Sequence, residues 1–118
     1  MKSFLDSSAL AKRYLRERGS DKVRGALAQA SEVAICLICP PEILSALCRI
    51  RRHGSISAAH YEEAKSALYA DIEDMAICAL TVPIVHEAIA LIERFPLRTL
   101  DALHVACALD WQADLFVS

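Results

Sequence analysis

The sequence predicts an α/β domain in which a parallel sheet of about four strands is covered by helices on both faces. Four short apolar runs, Lys2 to Leu5, Glu32 to Leu37, Ala76 to Thr81 and Leu115 to Val117, are bounded by turn or cap residues and read as strands. Pairs of helical patterns separate them, which suits the long crossovers of parallel pairing and excludes hairpins. With 118 residues, 55% hydrophobic and 24% charged, the chain is one compact domain, enough for one core and not for two.

Taken in order, the first strand runs into Asp6-Ser7-Ser8 and a helix expected from Ser8 to about Arg16, with Leu10 and Tyr14 facing inward. Gly19-Ser20 ends it, and Ser20 is a candidate cap for a second helix from Asp21 to about Ala30. The strand Glu32 to Leu37 stops at two prolines. Pro40-Pro41-Glu42 then opens a helix to about His53, because proline suits a first helical turn and an acid there suits the helix dipole. Ser57 caps a long amphipathic helix, Ala58 to about Asp74, with Tyr61, Ala64, Leu68 and Ile72 on one face. After the third strand, Pro83 starts a helix through His86, Ala90 and Ile92 to Phe95, and Pro96 ends it. The last helix begins at Thr99-Leu100-Asp101, where Thr99 is positioned to cap its own first turn, and Leu103, Ala106, Cys107 and Asp110 follow the packing spacing. Leu115-Phe116-Val117 reads as the final strand.

Composition narrows the function classes. The longest uncharged runs, Val33 to Pro41 and Met75 to His86, fall short of the roughly 20 apolar residues of a membrane-spanning helix. The start reaches Asp6 too soon for a signal peptide, so a soluble cytoplasmic protein is expected, with no membrane contact. A mean hydropathy of +0.32 is high for a small soluble monomer and points to apolar surface covered by a partner. The formal charge of −2 gives no broad basic field for nucleic acid, so any such contact must be local. Basic residues do cluster, in Lys12-Arg13 with Arg16 and Arg18 and in Arg49 to His53; these read as solvated helix faces, able to line one groove. Five cysteines, an odd number in apolar surroundings, read as reduced core residues, and Cys36-x-x-Cys39 lacks the second pair of a zinc site.

The chemically specific residues are acids at helix starts. Asp6 and Glu42 each follow a strand, at the edge where open α/β sheets place their ligands. Each alone would be a cap or a dipole-matched surface acid. Asp101 also lies in a first helical turn, but it follows a helix, so the pattern alone does not bring it to the same edge. His104, three residues on, reads as a packed helix residue rather than a ligand.

Three stretches, Phe4-Leu5-Asp6-Ser7-Ser8-Ala9-Leu10, Pro41-Glu42-Ile43-Leu44-Ser45-Ala46-Leu47 and Leu97-Arg98-Thr99-Leu100-Asp101-Ala102-Leu103-His104-Val105-Ala106, resemble the successive signatures of the PIN-domain family, most closely the VapC-type toxins of toxin–antitoxin pairs. The resemblance covers the whole chain and implies a metal-dependent endoribonuclease, a homodimer inhibited by a cognate antitoxin, that hydrolyses RNA with a metal-activated water. It also implies that Asp6, Glu42 and Asp101 are the catalytic acids and the ligands of Mg²⁺ or Mn²⁺, with Ser8 a supporting hydroxyl and Thr99 beside Asp101. Clustered carboxylates repel unless a cation neutralises them, and oxygen donors suit these two metals. Arg98 or another basic side chain near the mouth is a candidate for holding the phosphate. Relatives of this kind continue past the Phe-Val-Ser strand into a fourth acid, a further helix and a fifth strand, whereas this sequence stops at Ser118. Asp114 is no substitute, because it enters the last strand at the end remote from Asp6. The resemblance therefore leaves a second expectation standing, a PIN-fold module that pairs with an antitoxin or with itself and does not cleave. A phosphatase with Asp6 as nucleophile fits less well, since no second Asp follows two residues on.

Overall fold

The structure, a computed structural model, describes residues 1–118. Its elements are β1 (Lys2–Leu5), α1 (Ser7–Ala11), α2 (Ser20–Gln29), β2 (Glu32–Cys36), α3 (Cys39–Arg52), α4 (Ala58–Glu73), β3 (Ala76–Cys78), α5 (Val82–Arg94), α6 (Thr99–Trp111) and β4 (Leu115–Val117). The strands form one parallel sheet in the order β3-β2-β1-β4. Lys2 pairs with Glu32, Ser3 with Leu115 and Ala34 with Ala76, so every strand ends at the same edge of the sheet. No helix is long and apolar enough to cross a membrane.

Alternation along the strands divides the core in two. Phe4, Ala34 and Cys36 point to one face and pack under α5 and α6, against Ile84, Ala88, Ala102 and Cys107. Leu5 and Ile35 point to the other, where they meet Leu10, Val23, Ile43, Leu47 and Leu68 from the four remaining helices. Both faces being covered explains why the central strands are almost continuously apolar.

Several local expectations are corrected. Helix α1 ends at Ala11 rather than near Arg16, because the chain tightens through the bonds Lys12 N–H to Ala9 O and Arg13 N–H to Leu10 O before leaving the helical path. Ser20 is the first residue of α2 and not its cap. Its buried hydroxyl donates to the Leu15 carbonyl and accepts from the Glu17 N–H, tying down the preceding loop, while Gly19 takes the N-cap position at φ 91°. Thr99 likewise lies inside α6, with Arg98 before it and no side-chain cap bond, so its capping role is not realised. Strand β3 stops at Cys78 instead of Thr81, because the Thr81 hydroxyl caps α5 by accepting from Ile84 N–H at 3.3 Å. On α6 the packing face carries His104 with Ala106 and Cys107, whereas Asp110 is exposed. The Ser57 cap is present, accepting from His60 N–H at 3.0 Å.

All five cysteines are free, and Cys36, Cys39 and Cys107 are buried. Burial pushes the Cys39 thiol up to about 12, which suits a protonated, unreactive core residue. Helix α5 buries Ile84, Ala88 and Leu91 but leaves Val82, Val85, Ile89 and Ile92, at the same three-and-four spacing, open to solvent.

Candidate active site

The carboxyl edge of the sheet gathers the site. Asp6 is the residue after β1 and the N-cap of α1, with extended backbone at φ −82°, ψ 176°. Its Oδ1 accepts from Ala9 N–H at 2.9 Å and from the Ser8 hydroxyl at 3.0 Å. Its Oδ2 accepts from the Ser118 hydroxyl at 2.5 Å, just beyond the adjacent strand β4. A carboxylate only 8% exposed and met by three donors is both compensated and fixed in orientation. Ser8 thus meets Asp6 from its own helix, and Ser118 adds a contact that required knowing that β4 lies beside β1.

Asp101, in the first turn of α6 and exposed, lines the same cleft as Asp6, a space of about 260 Å³ bounded also by Leu97, Val105, Phe116 and Ser118. Two of the sequence-predicted acids therefore converge. Arg98 immediately precedes this helix as its N-cap residue.

Glu42 is bonded to the residue that follows Asp6 and to one a turn beyond Asp101. It lies in the first turn of α3 and lines a neighbouring depression with Pro41, Ser45, Arg49 and Leu100. Its Oε1 accepts from the Ser7 hydroxyl at 2.5 Å and lies 2.9 Å from His104 Nε2. Because that hydroxyl gives its proton to the carboxylate, and the carboxylate can only accept, Nε2 carries the hydrogen directed at Glu42. The Nδ1 atom of the same ring is buried without a partner. Ser7 and His104 are thus contacts of a predicted site acid that the sequence reading did not assign. The only available signal was position, since Ser7 follows Asp6 and His104 lies one helical turn after Asp101.

No three His, Cys, Asp or Glu side chains stand together closely enough to hold one metal ion. The donor chemistry of the cleft still fits a hard divalent cation, since Asp6 and Asp101 offer carboxylate oxygens with a hydroxyl beside them. Asp114 lies at the opposite edge, where its carboxylate accepts from Lys2 N–H at 2.8 Å at the start of β1.

Solved structures share this fold. A toxin–antitoxin complex from Klebsiella pneumoniae is 17% identical with a TM-score of 0.70, over 96% of this chain and 82% of that one. VapC20 of Mycobacterium tuberculosis, described as a Sarcin-Ricin loop cleaving toxin, is 15% identical with a TM-score of 0.74, over 97% and 86%. VapBC2 from Rickettsia felis, bound to a DNA fragment from its promoter, is 16% identical with a TM-score of 0.69, over 98% and 85%. Comparison with curated protein sequences finds no match. The family model for the PIN domain matches residues 3–118, in agreement with the three sequence signatures and the sheet order, and the chain belongs to that family.

Proposed function

We propose that the chain is the nuclease of a toxin–antitoxin pair, a Mg²⁺- or Mn²⁺-dependent endoribonuclease that hydrolyses RNA phosphodiester bonds. The observation that carries this reading is the convergence of Asp6 and Asp101 in one cleft at the carboxyl edge of a parallel sheet. Family membership and the likeness to a toxin described as cleaving the Sarcin-Ricin loop support it.

Asp6 and Asp101 would hold the cation, with Glu42, beside Ser7 and His104, as a third acid. When bound, the cation lowers the pKa of a coordinated water and offsets negative charge on the phosphate oxygens. The chain's own residues prepare the place. Ser8, Ser118 and the Ala9 N–H fix the Asp6 carboxylate before anything binds, which lowers the reorganisation needed at reaction. Buried Phe4 supports Phe116, which walls the cleft, with ring centroids 5.8 Å apart and planes 11° from parallel. Arg98, at the start of the helix that carries Asp101, would meet a phosphate.

The partners in this reading are an RNA substrate, a cognate antitoxin and a second copy of the chain. The antitoxin is supported by solved neighbours described as toxin–antitoxin and VapBC complexes. The homodimer is supported by the open apolar row on α5.

The engagement of Glu42 by Ser7 and His104 favours a second reading, a PIN-fold module that pairs with an antitoxin or itself without cutting. Calorimetry with Mn²⁺ and Mg²⁺ on the wild type and on Asp6→Asn separates the two. Binding that disappears in the variant supports the nuclease; heat-silent titrations of both proteins favour the module.

A further inference from the structure

His104 is only 2% exposed, on the face of α6 that also buries Ala102, Ala106 and Cys107. An aliphatic side chain would fill that space without polar cost. The imidazole instead leaves Nδ1 buried with no hydrogen-bond partner, and a polar atom stranded in a core lowers stability. Whatever favours a histidine here acts through its other nitrogen.

That nitrogen, Nε2, faces two groups, Glu42 Oε1 at 2.9 Å and Ser7 Oγ at 3.3 Å, while the Ser7 hydroxyl itself donates to Glu42 Oε1 at 2.5 Å. The three side chains close a triangle. It is not the arrangement of an activated serine nucleophile, in which the acid and the hydroxyl sit on opposite nitrogens of the ring. The hydrogen bonds of Glu42 fall on Oε1 alone and its side chain is 24% exposed, so Oε2 is free of donors. Both donors ride on the helices that carry the other two acids. Ser7 follows Asp6 at the start of α1, and His104 stands one turn after Asp101 on α6. Glu42, on α3, is thereby tied to both.

We propose that His104 is a positioning residue for cation binding: its Nε2–H, together with the Ser7 hydroxyl, occupies Glu42 Oε1 and fixes Oε2 as the oxygen that Glu42 offers to the metal. The inference rests on Glu42 being the third acid of the ribonuclease reading and deepens it. A glutamate turns about three side-chain bonds, and ordering them before the cation arrives removes that cost from binding. A single N–H donor orients the carboxylate and leaves its charge for the cation, whereas a lysine or arginine would neutralise it.

The test is Mn²⁺ calorimetry on the wild type, Glu42→Gln, His104→Leu, His104→Gln and the double variant His104→Leu/Glu42→Gln, each checked for folding by circular dichroism. His104→Leu should bind Mn²⁺ at least about tenfold more weakly, and His104→Gln, whose amide restores a donor, should stay within about threefold of wild type. The double variant should bind no more weakly than Glu42→Gln alone, because His104 acts only through Glu42. His104→Leu with wild-type affinity overturns the inference. So does His104→Gln as weak as His104→Leu, which would assign the loss to packing, and so does a double variant whose losses add. If His104→Leu does not fold, Ser7→Ala removes the other donor to Oε1 and should weaken Mn²⁺ binding by about threefold or more; wild-type affinity there overturns the inference equally. Glu42→Gln that binds as tightly as wild type overturns it too and leaves the metal to Asp6 and Asp101. Absence of binding by the wild type overturns the nuclease reading with it.

Discussion

His104 Nε2 on α6 lies 2.9 Å from Glu42 Oε1 on α3, and the Ser7 hydroxyl of α1 donates to that same oxygen at 2.5 Å. One carboxylate oxygen therefore ties three helices together beneath the carboxyl edge of the sheet. The imidazole is 2% exposed and Glu42 about a quarter exposed, so the contact is more protected than a surface ion pair. Replacing His104 by Ala removes a buried ring and leaves the Glu42 carboxylate short of a donor. We expect His104→Ala to lose about 2–4 kcal/mol in urea unfolding. An unchanged midpoint would mean that the three helices do not depend on this oxygen.

Asp6 combines two roles that one substitution separates. Asn caps helices as well as Asp and can still accept from Ala9 N–H, so Asp6→Asn should keep the cap and the fold. It removes the negative charge from the cleft. RNA cleavage should then fall at least about 100-fold while the melting temperature stays within a few degrees. A variant that cuts as fast as wild type would remove Asp6 from the catalytic assignment.

The acid limb of the stability curve should trace to Asp71. Burial alone would raise its carboxyl, but hydrogen bonds from Arg13 and Tyr14, together with the Arg13 charge, hold it below the ordinary value. The proton therefore binds the unfolded chain more readily, and the contribution is complete above the ordinary carboxylate pKa of about 3.9 and lost as pH falls through the lower folded value. Urea midpoints of wild type and Asp71→Asn should differ at pH 6 and draw together as pH falls below about 3.9. The same difference across that range would show that the network carries no charge-dependent stability.

The apolar row Val82, Val85, Ile89 and Ile92 offers a direct check on the proposed homodimer. A carboxylate in its middle is tolerated by a solvated helix and not by a buried interface. Ile89→Glu should convert a dimer to a monomer in light scattering at micromolar concentration, with the helical circular dichroism unchanged. A variant that keeps the dimer mass would place the subunit contact on another surface.

The strands, both helical layers and the ends of most helices were legible because period, proline and cap residues act locally. Ser57 and Pro83 mark helix starts in the sequence as in the structure. What escaped was set by contacts distant in sequence. Ser20 looks like a cap, yet its hydroxyl serves a loop carbonyl, because Leu15 and Glu17 needed partners that no local pattern announces. Asp6 was readable from its strand-to-helix junction, and Asp101 reaches the same cleft only through the packing of α6 on the sheet. The bonds of Glu42 come from a serine and a histidine that lie 35 and 62 residues away, beyond the reach of any local rule.

The sheet order has a consequence for how the protein is born. Strand β1, which ends at Asp6, precedes the other nine elements in the chain, but it lies in the interior of the sheet and one of its neighbours is β4, which follows the other nine. The bond from Ser118 to Asp6 spans 112 residues, which a ribosome adding roughly 5–20 residues per second takes roughly 6–22 s to lay down. Through that interval the first strand waits with one flank bare and the cleft beside Asp6 has no far wall. A fold that sets its first strand between two later ones completes the cleft beside Asp6 only when β4 docks, so the site and the sheet are finished in the same step.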